Sequence, residues 1–197
     1  SENRNTFVPY NLGTPVHVFL DIGYSDYTVG IFVQFIGDRI NVLDCYYNNR
    51  CSVDTHILEI NKRGYSNTLI HLPHDGGKHE SSGETVRDYW SARTKVSEDK
   101  GSNGNLPRLS DVESLNRVKN GFQRLFFNEE KCKILIEHLR NYRRHWNENL
   151  QTYGDPIHDE NSHFFDALKY IFYVETTTPS VIDKKKLRPN MSSMTPW

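Results

Sequence analysis

Apolar and polar positions along this chain switch between a strand-like and a helix-like period, and the switches mark out its elements. Residues 16–22, VHVFLDI, form a short and nearly continuous apolar run, the pattern of a strand buried on both faces. Gly23, Ser25 and Asp26 signal a turn, and 28–36 resumes as a β-branched and aromatic strand. Gly37-Asp38 is a tight turn before 39–47, where INVLDCYY predicts a third strand. Two hairpins in succession predict an antiparallel meander. Ser52 then precedes VDTHILEINKRG, where Ile57, Leu58 and Ile60 predict a helix that Gly64 stops. A fourth strand follows over 68–72 and ends at Pro73. Strand, strand, strand, helix, strand is a mixed α/β order.

The second half is more polar. Residues 76–108 are rich in Gly, Ser, Asn, Lys and Glu, with helical spacing only over 85–93, and the centre SEDKGSNGN predicts a mobile loop. Ser110 and Glu113 form a capping box for a helix over 110–127, with Val112, Leu115, Val118 and Phe122 on one face. Asn128 caps a further helix over 129–146, with acids in its first turn and bases in its last, as the helix dipole favours. After a polar link containing Gly154-Asp155-Pro156, Ser162 caps a late helix, HFFDALKYIFYVE. Beyond residue 175 the chain has a KKKLR run and almost no core formers, so 176–197 is expected to be a flexible basic tail. Residues 1–15 read as an irregular lead-in from a longer chain, because the sequence starts at Ser1 without Met.

Composition narrows the class. With 197 residues, 36% hydrophobic and 12% aromatic, the chain supports one sizeable core, here over 16–175. No apolar run approaches the ~20 residues of a membrane span, and no secretory signal is present. Cys45, Cys51 and Cys132 are odd in number and lack short paired spacing, which argues against a disulfide framework or a zinc site and for a reducing compartment. A formal charge of −1 provides no global attraction to nucleic acid, so any such contact must be local. The basic groups Lys62-Arg63, Arg108/Arg117/Lys119/Arg124 and Arg140/Arg143/Arg144 are the places to look, although solvation alone accounts for most helix-surface charge.

The candidate chemistry is carried by three aspartates. Asp21 closes the first strand, Asp75 follows the fourth in LPHD, and Asp166 lies in the late helix. Two carboxylates at the ends of neighbouring strands and a third on a covering helix can converge, and clustered carboxylates suit a hard dication such as Mg²⁺. An isolated Asp usually ends a strand or caps a helix; three in this order point to a site. Asp166 carries most weight, because its helix has a broad apolar surface in Phe164, Phe165, Leu168, Ile171 and Phe172. A carboxylate on a buried face is costly unless paired or metal-bound. His163, three residues earlier, and Tyr170 share its face. His163 suits a supporting group, a leaving-group partner or a ligand, and equally capping or packing. Asp26 either supports a metal-bound water or satisfies turn amides. Asp159 is a further auxiliary candidate, whereas His158 and Glu160 read as solvent-facing, His74 as an exposed loop residue, and Glu80 and Glu84 as rivals of Asp75 in a flexible setting.

Together DIGYSDYT at a strand end, LPHD at another and SHFFDALKY in a late helix resemble the nuclease domain of tailed-bacteriophage large terminase subunits of the headful-packaging type. The resemblance covers about 16–175, and SH-x-x-DA-x-x-Y is its most specific element. It implies a ribonuclease H-like α/β fold, a mixed central sheet flanked by helices. It also implies that Asp21, Asp75 and Asp166 hold two Mg²⁺ or Mn²⁺ ions and cut concatemeric double-stranded viral DNA during packaging. Implied partners are the portal protein, through the tail, the small terminase subunit, and the ATPase domain of the full-length protein. The implied location is the host cytoplasm at the procapsid portal, with no membrane. The chain has no GxxxxGK[ST] loop, so it resembles the nuclease portion alone. Two other readings stay open: another ribonuclease H-like enzyme, such as a junction resolvase or integrase core, and a non-catalytic α/β binding module.

Overall fold

The computed structural model describes residues 5–23, 26–75, 84–149 and 151–177. Its strands are β1 (Asn5–Thr6), β2 (Val16–Asp21), β3 (Tyr27–Ile36), β4 (Arg39–Asn49), β5 (Thr68–His71), β6 (Leu125–Asn128), β7 (Arg144–Asn147) and β8 (Thr152–Pro156). Its helices are α1 (Val53–Asn61), α2 (Val86–Ser91), α3 (Asp111–Gly121), α4 (Lys133–Asn141) and α5 (Glu160–Thr177). Six strands form one sheet in the order β1-β6-β4-β3-β2-β5, and β7 and β8 form a separate hairpin. The expected meander is present: β2 pairs antiparallel with β3, and β3 with β4. β5 runs parallel to β2, with Phe19 opposite His71, and β6 runs parallel to β4.

Alternation along β2 explains why its sequence is nearly all apolar. Val16, Val18 and Leu20 join Phe32, Leu43, Ile57, Ile60, Ile70, Val86 and Trp90 on the side of α1 and α2. Phe19 points the other way, into a larger cluster with Ile31, Val33, Leu125, Leu135, Phe164, Leu168 and Ile171, on the side of α3, α4 and α5. A sheet covered on both faces offers no solvent side for polar residues. His17, Phe19 and Asp21 therefore share the α5 side, and that register decides where the chemistry lies.

Glycine is required at two turns for different reasons. Gly64 has φ +71°, the left-handed geometry that ends α1. Gly23 instead lies against backbone: a Cβ there would stand 2.6 Å from the Tyr27 carbonyl oxygen. Its role after Asp21 is close approach.

Several expectations are corrected. The lead-in contains β1, whose two residues pair in parallel with β6. The helix expected over 110–127 stops at Gly121, and LFFN becomes β6. Phe122, Leu125 and the preceding apolar residues match a helical period, but Leu125 and Phe127 alternate into the core with Phe126 between them. Gly121 cannot be larger, because a Cβ there would overlap the Phe172 ring of α5. Val112, expected on the buried face of α3, is 66% exposed. The Ser110 hydroxyl accepts from the Glu113 N–H as expected, while the Glu113 carboxylate pairs with Arg117 at 2.9 Å.

α4 is shorter than its sequence pattern. Asn128 Oδ1 accepts from the Lys131 N–H at 3.1 Å and holds the turn that enters the helix, which begins only at Lys133. RRHW leaves the helix to pair with residues 152–156, and Arg144 Nε donates to the Gly154 carbonyl at 2.7 Å. At the other end, α5 continues to Thr177, two residues past the expected boundary. The remaining tail residues, 178–197, lie outside the described residues.

The stretch expected to be a mobile loop is instead laid along β5. Ile70 N–H donates to the Lys95 carbonyl, Ser97 N–H to Ile70, and Leu106 N–H to Leu72, at 2.8, 2.8 and 2.9 Å. Arg87 of α2 ties this segment together by donating to the Gly104 and Ser97 carbonyls and to Asn105 Oδ1. The polar composition of this segment reflects internal hydrogen bonding.

Candidate functional site

β2 and β5 are parallel neighbours, so Asp21 at the end of one and LPHD after the other leave the sheet at the same end of its strands. α5 packs across β2 and β3 on the face that carries Asp21. Its first turns place His163 against the strand end, with Nδ1 3.0 Å from Asp21 Oδ2. Two turns later the Tyr170 hydroxyl lies 3.2 Å from His74 Nδ1, the residue before Asp75. His163, Asp166 and Tyr170, spaced three and four apart, thus form the stripe of α5 that bridges the two strand ends.

Charge within this stripe is unevenly balanced. Burial pushes the Asp21 carboxyl upward; the His163 hydrogen bond opposes this, and the nearby Asp166 carboxylate adds to it. His163 is raised chiefly by its bond to Asp21, with Asp26 and Asp166 adding smaller contributions in the same direction. Burial likewise raises the Tyr170 phenol, and the charges of Asp21, Asp166 and Asp75 all push the same way. Tyr170 is therefore a buried hydroxyl that feels all three carboxylates. Asp166 is paired within its own helix with Lys169, whose Nζ lies 2.5 Å from Oδ1.

Among the described residues, no three His, Cys, Asp or Glu side chains are grouped tightly enough to hold a metal ion as they stand. The donor chemistry still fits a hard dication. Asp21, Asp75 and Asp166 offer oxygens from two strand ends and a helix, and the charged form of Asp21 is disfavoured until positive charge arrives. Lys169 pairs with Asp166 and His163 with Asp21.

The auxiliary candidates separate. Asp26 is exposed, yet close enough to favour the charged form of His163. Asp159 has a structural duty: its Oδ1 accepts from the Asn161 N–H at 2.9 Å, which caps α5. Ser162, expected as the cap, instead donates to the Asp159 carbonyl at 2.7 Å. Glu84 is exposed before α2, and Glu80 lies outside the described residues. His158 and Glu160 are exposed, as expected.

Two features escaped the sequence reading. Lys169 is one; its signal was the three-residue spacing in DALK. The other is a network on the same face of β2. Asp99 accepts from His71 Nδ1 at 3.0 Å, and His71 Nε2 lies 2.8 Å from His17 Nδ1. A carboxylate can only accept, so His71 donates through Nδ1; when neutral it accepts from His17 through Nε2. Ser97 adds a hydroxyl donor to Asp99 at 3.2 Å. Burial lowers the His17 pKa to about 4, with His71 adding to the effect and Asp99 opposing it. The signal was faint: two histidines on parallel strands whose partner carboxylate comes from a polar loop.

The fold is ribonuclease H-like, of the kind found in large terminase nuclease domains. The P22 large terminase nuclease domain superposes with a TM-score of 0.66 at 18% identity, over 89% of this chain and 90% of that one. The SPP1 g2p nuclease domain, with bound Mn, matches at TM-score 0.52 and 17% identity, covering 82% of this chain and 86% of that one. For a large terminase from a thermophilic bacteriophage the TM-score is 0.59 at 13% identity; 88% of this chain covers 43% of that protein. No protein-family model matches the chain, and no curated protein matches it.

Proposed function

We propose that this chain is the nuclease portion of a large terminase, a divalent-metal-dependent endonuclease that cuts concatemeric double-stranded viral DNA during genome packaging. The observation that carries this reading is the stripe His163–Asp166–Tyr170 lying between the ends of β2 and β5, with Tyr170 sensing Asp21, Asp75 and Asp166 together. In this reading those three aspartates hold two ions, Mg²⁺ or Mn²⁺. When bound, such ions supply Lewis acidity on both sides of a scissile phosphodiester. The protein's own part is positional. His163 orients the Asp21 carboxylate, Lys169 balances Asp166, and the bond between His74 and Tyr170 ties the loop bearing Asp75 to α5.

SPP1 g2p with Mn and the G20c large terminase nuclease with cobalt support use of a divalent ion here. Partial coverage of the longer thermophilic-phage terminase supports an ATPase domain elsewhere in the full-length chain. Residues 16–175 then act as the catalytic unit, and the tail, with Lys184, Lys185, Lys186 and Arg188, docks on the portal. The small terminase subunit is a further partner, and the working place is the host cytoplasm at the procapsid portal. No helix among the described residues is long and apolar enough to cross a membrane.

Incubation of the protein with linear and supercoiled plasmid in Mn²⁺ or Mg²⁺ should produce cutting that chelator stops and that Asp166→Asn abolishes. Cutting by Asp166→Asn at the wild-type rate would remove Asp166 from the site. A preference for four-way junctions over linear duplex would favour the resolvase reading. Absence of both Mn²⁺ binding by calorimetry and cutting would leave a binding module.

A further inference from the structure

Next to His74, the residue before Asp75, lies a polar cavity of ≈ 450 Å³ lined by His74, Lys100, Gly101, Ser102, Pro107 and Arg108. We propose that it is a phosphate-binding subsite that grips the backbone of duplex DNA next to the candidate metal centre, with Lys100 and Arg108 as positioning residues. This rests on the nuclease reading and adds to it the side chains that hold the substrate strand.

Exposed basic residues on a loop ordinarily need no explanation beyond solvation. Three observations taken together single out this pair, although the first is shared with Lys95, Lys119, Lys133 and Arg143. The first is the absence of local carboxylate partners. Arg63, Arg87, Arg93, Arg117 and Arg124 pair with Asp44, Glu98, Asp54, Glu113 and Asp38. Lys100 and Arg108 make no ion pair among the described residues. Two unpaired cations facing one cavity form an anion site in charge terms.

The second observation is that the platform is preformed. Asp99 N–H donates to the Gly104 carbonyl at 2.7 Å, and Gly101 N–H to that of Asn105 at 2.8 Å. A Cβ on Gly101 would lie 2.5 Å from the Asn105 oxygen, so only glycine allows the chain to fold back this tightly. The adjoining Asp99 carboxylate is held by His71 in the core, and Leu106 is pinned to Leu72. Lys100 and Arg108 are thus presented from the two ends of an internally bonded loop. The ordering entropy of that loop has been met in folding and is not charged to binding.

The third is location. His74 lines the cavity and also bonds Tyr170, and Asp75 is the next residue, with its Cα ~3.8 Å away. Phosphates recur every ~3.4 Å of axis along one DNA strand. A strand whose backbone phosphate is seated on Lys100 and Arg108 would therefore run past His74 toward Asp75. The cavity reads no base edges, so it positions the strand without specifying sequence.

The test compares the 197-residue protein with its Lys100→Ala/Arg108→Ala variant, using a fluorescent duplex and anisotropy in Ca²⁺ as a non-cutting ion. Affinity should fall ~10-fold at low salt, and the slope of log K against log salt should flatten by about 1 to 2. In Mn²⁺, KM should rise while kcat is retained, and melting should be unchanged because both side chains are exposed. The charge-keeping Lys100→Arg/Arg108→Lys variant should bind like wild type. An alanine variant with wild-type affinity and salt slope overturns the subsite, while cutting by the wild type would leave the nuclease reading standing. Conversely, a wild type that binds duplex but never cuts, with binding weakened in the variant, keeps the subsite and overturns the nuclease.

Discussion

Two His–Asp pairs lie on one face of the same sheet, and they differ in almost everything except composition. At one end of β2, Asp99 and His71 are closed off, with side chains 8% and 1% exposed, and every link from Ser97 to His17 has a partner. At the other end, Asp21 and His163 are 21% and 11% exposed, and Asp166 adds a second carboxylate whose partner Lys169 comes from its own helix. The first network holds a loop to the sheet. The second gathers like charges: Asp166 adds to the upward shift that burial gives Asp21. A buried His–Asp pair is therefore weak support for chemistry by itself; like charge gathered at an accessible strand end is what sets the second apart.

The sharpest way to break this contrast is to neutralise the Asp21 carboxylate. Asp21→Asn should lower Mn²⁺-dependent cutting by about a thousand-fold or more, as loss of a charge-stabilising group does. It should melt no lower than wild type, because burial and Asp166 already disfavour its charged form. A clear fall in melting temperature would make Asp21 structural. Within the same pair, His163→Ala should reduce cutting by roughly 10- to 100-fold, the range for groups that orient a ligand. Loss as large as that of Asp21→Asn, with normal melting, would give His163 a direct role.

At the closed network the signs reverse. Asp99→Ala should destabilise the protein by about 2 kcal/mol, since it orphans a buried donor on His71. Its effect on cutting should appear in KM through the displaced Lys100, with kcat kept. Denaturant unfolding followed by steady-state kinetics checks both, and unchanged stability would mean the network is incidental.

The smallest effect concerns pH. His17 has a pKa of about 4 in the fold and about 6.5 unfolded. Its neutral form is favoured by folding, so its contribution is fully present above pH 6.5 and is lost as pH falls toward 4. At pH 5.5 the loss is about 1 kcal/mol. The stability difference between wild type and His17→Gln, measured by denaturant melts at pH 7.5 and 5.5, should shift in favour of the variant at the lower pH. A difference that stays constant would show that His17 is protonated without penalty.

Strong patterns were legible in the sequence. The three-strand meander, α1 with its Gly64 stop, β5 and α5 follow from continuous or alternating apolar runs bounded by turn residues, and local chemistry suffices for each. The three aspartates of the proposed site were singled out in the sequence because each sits where such a run ends or on an otherwise apolar face. β6 and the β7–β8 hairpin were not, since LFFN and RRHW extend helical patterns and become strands only where a partner, β4 or residues 152–156, supplies hydrogen bonds.

The polar stretch 94–108 marks the boundary most clearly. Its composition determines that it cannot form a core, and that much was readable from the chain. That it is ordered, that Asp99 reaches His71, and that Lys100 and Arg108 face the cavity beside His74 were decided by the tertiary structure. Turn and strand propensities act between near neighbours, whereas hydrogen bonds between residues 28 apart in sequence exist only once the sheet has brought their partners together.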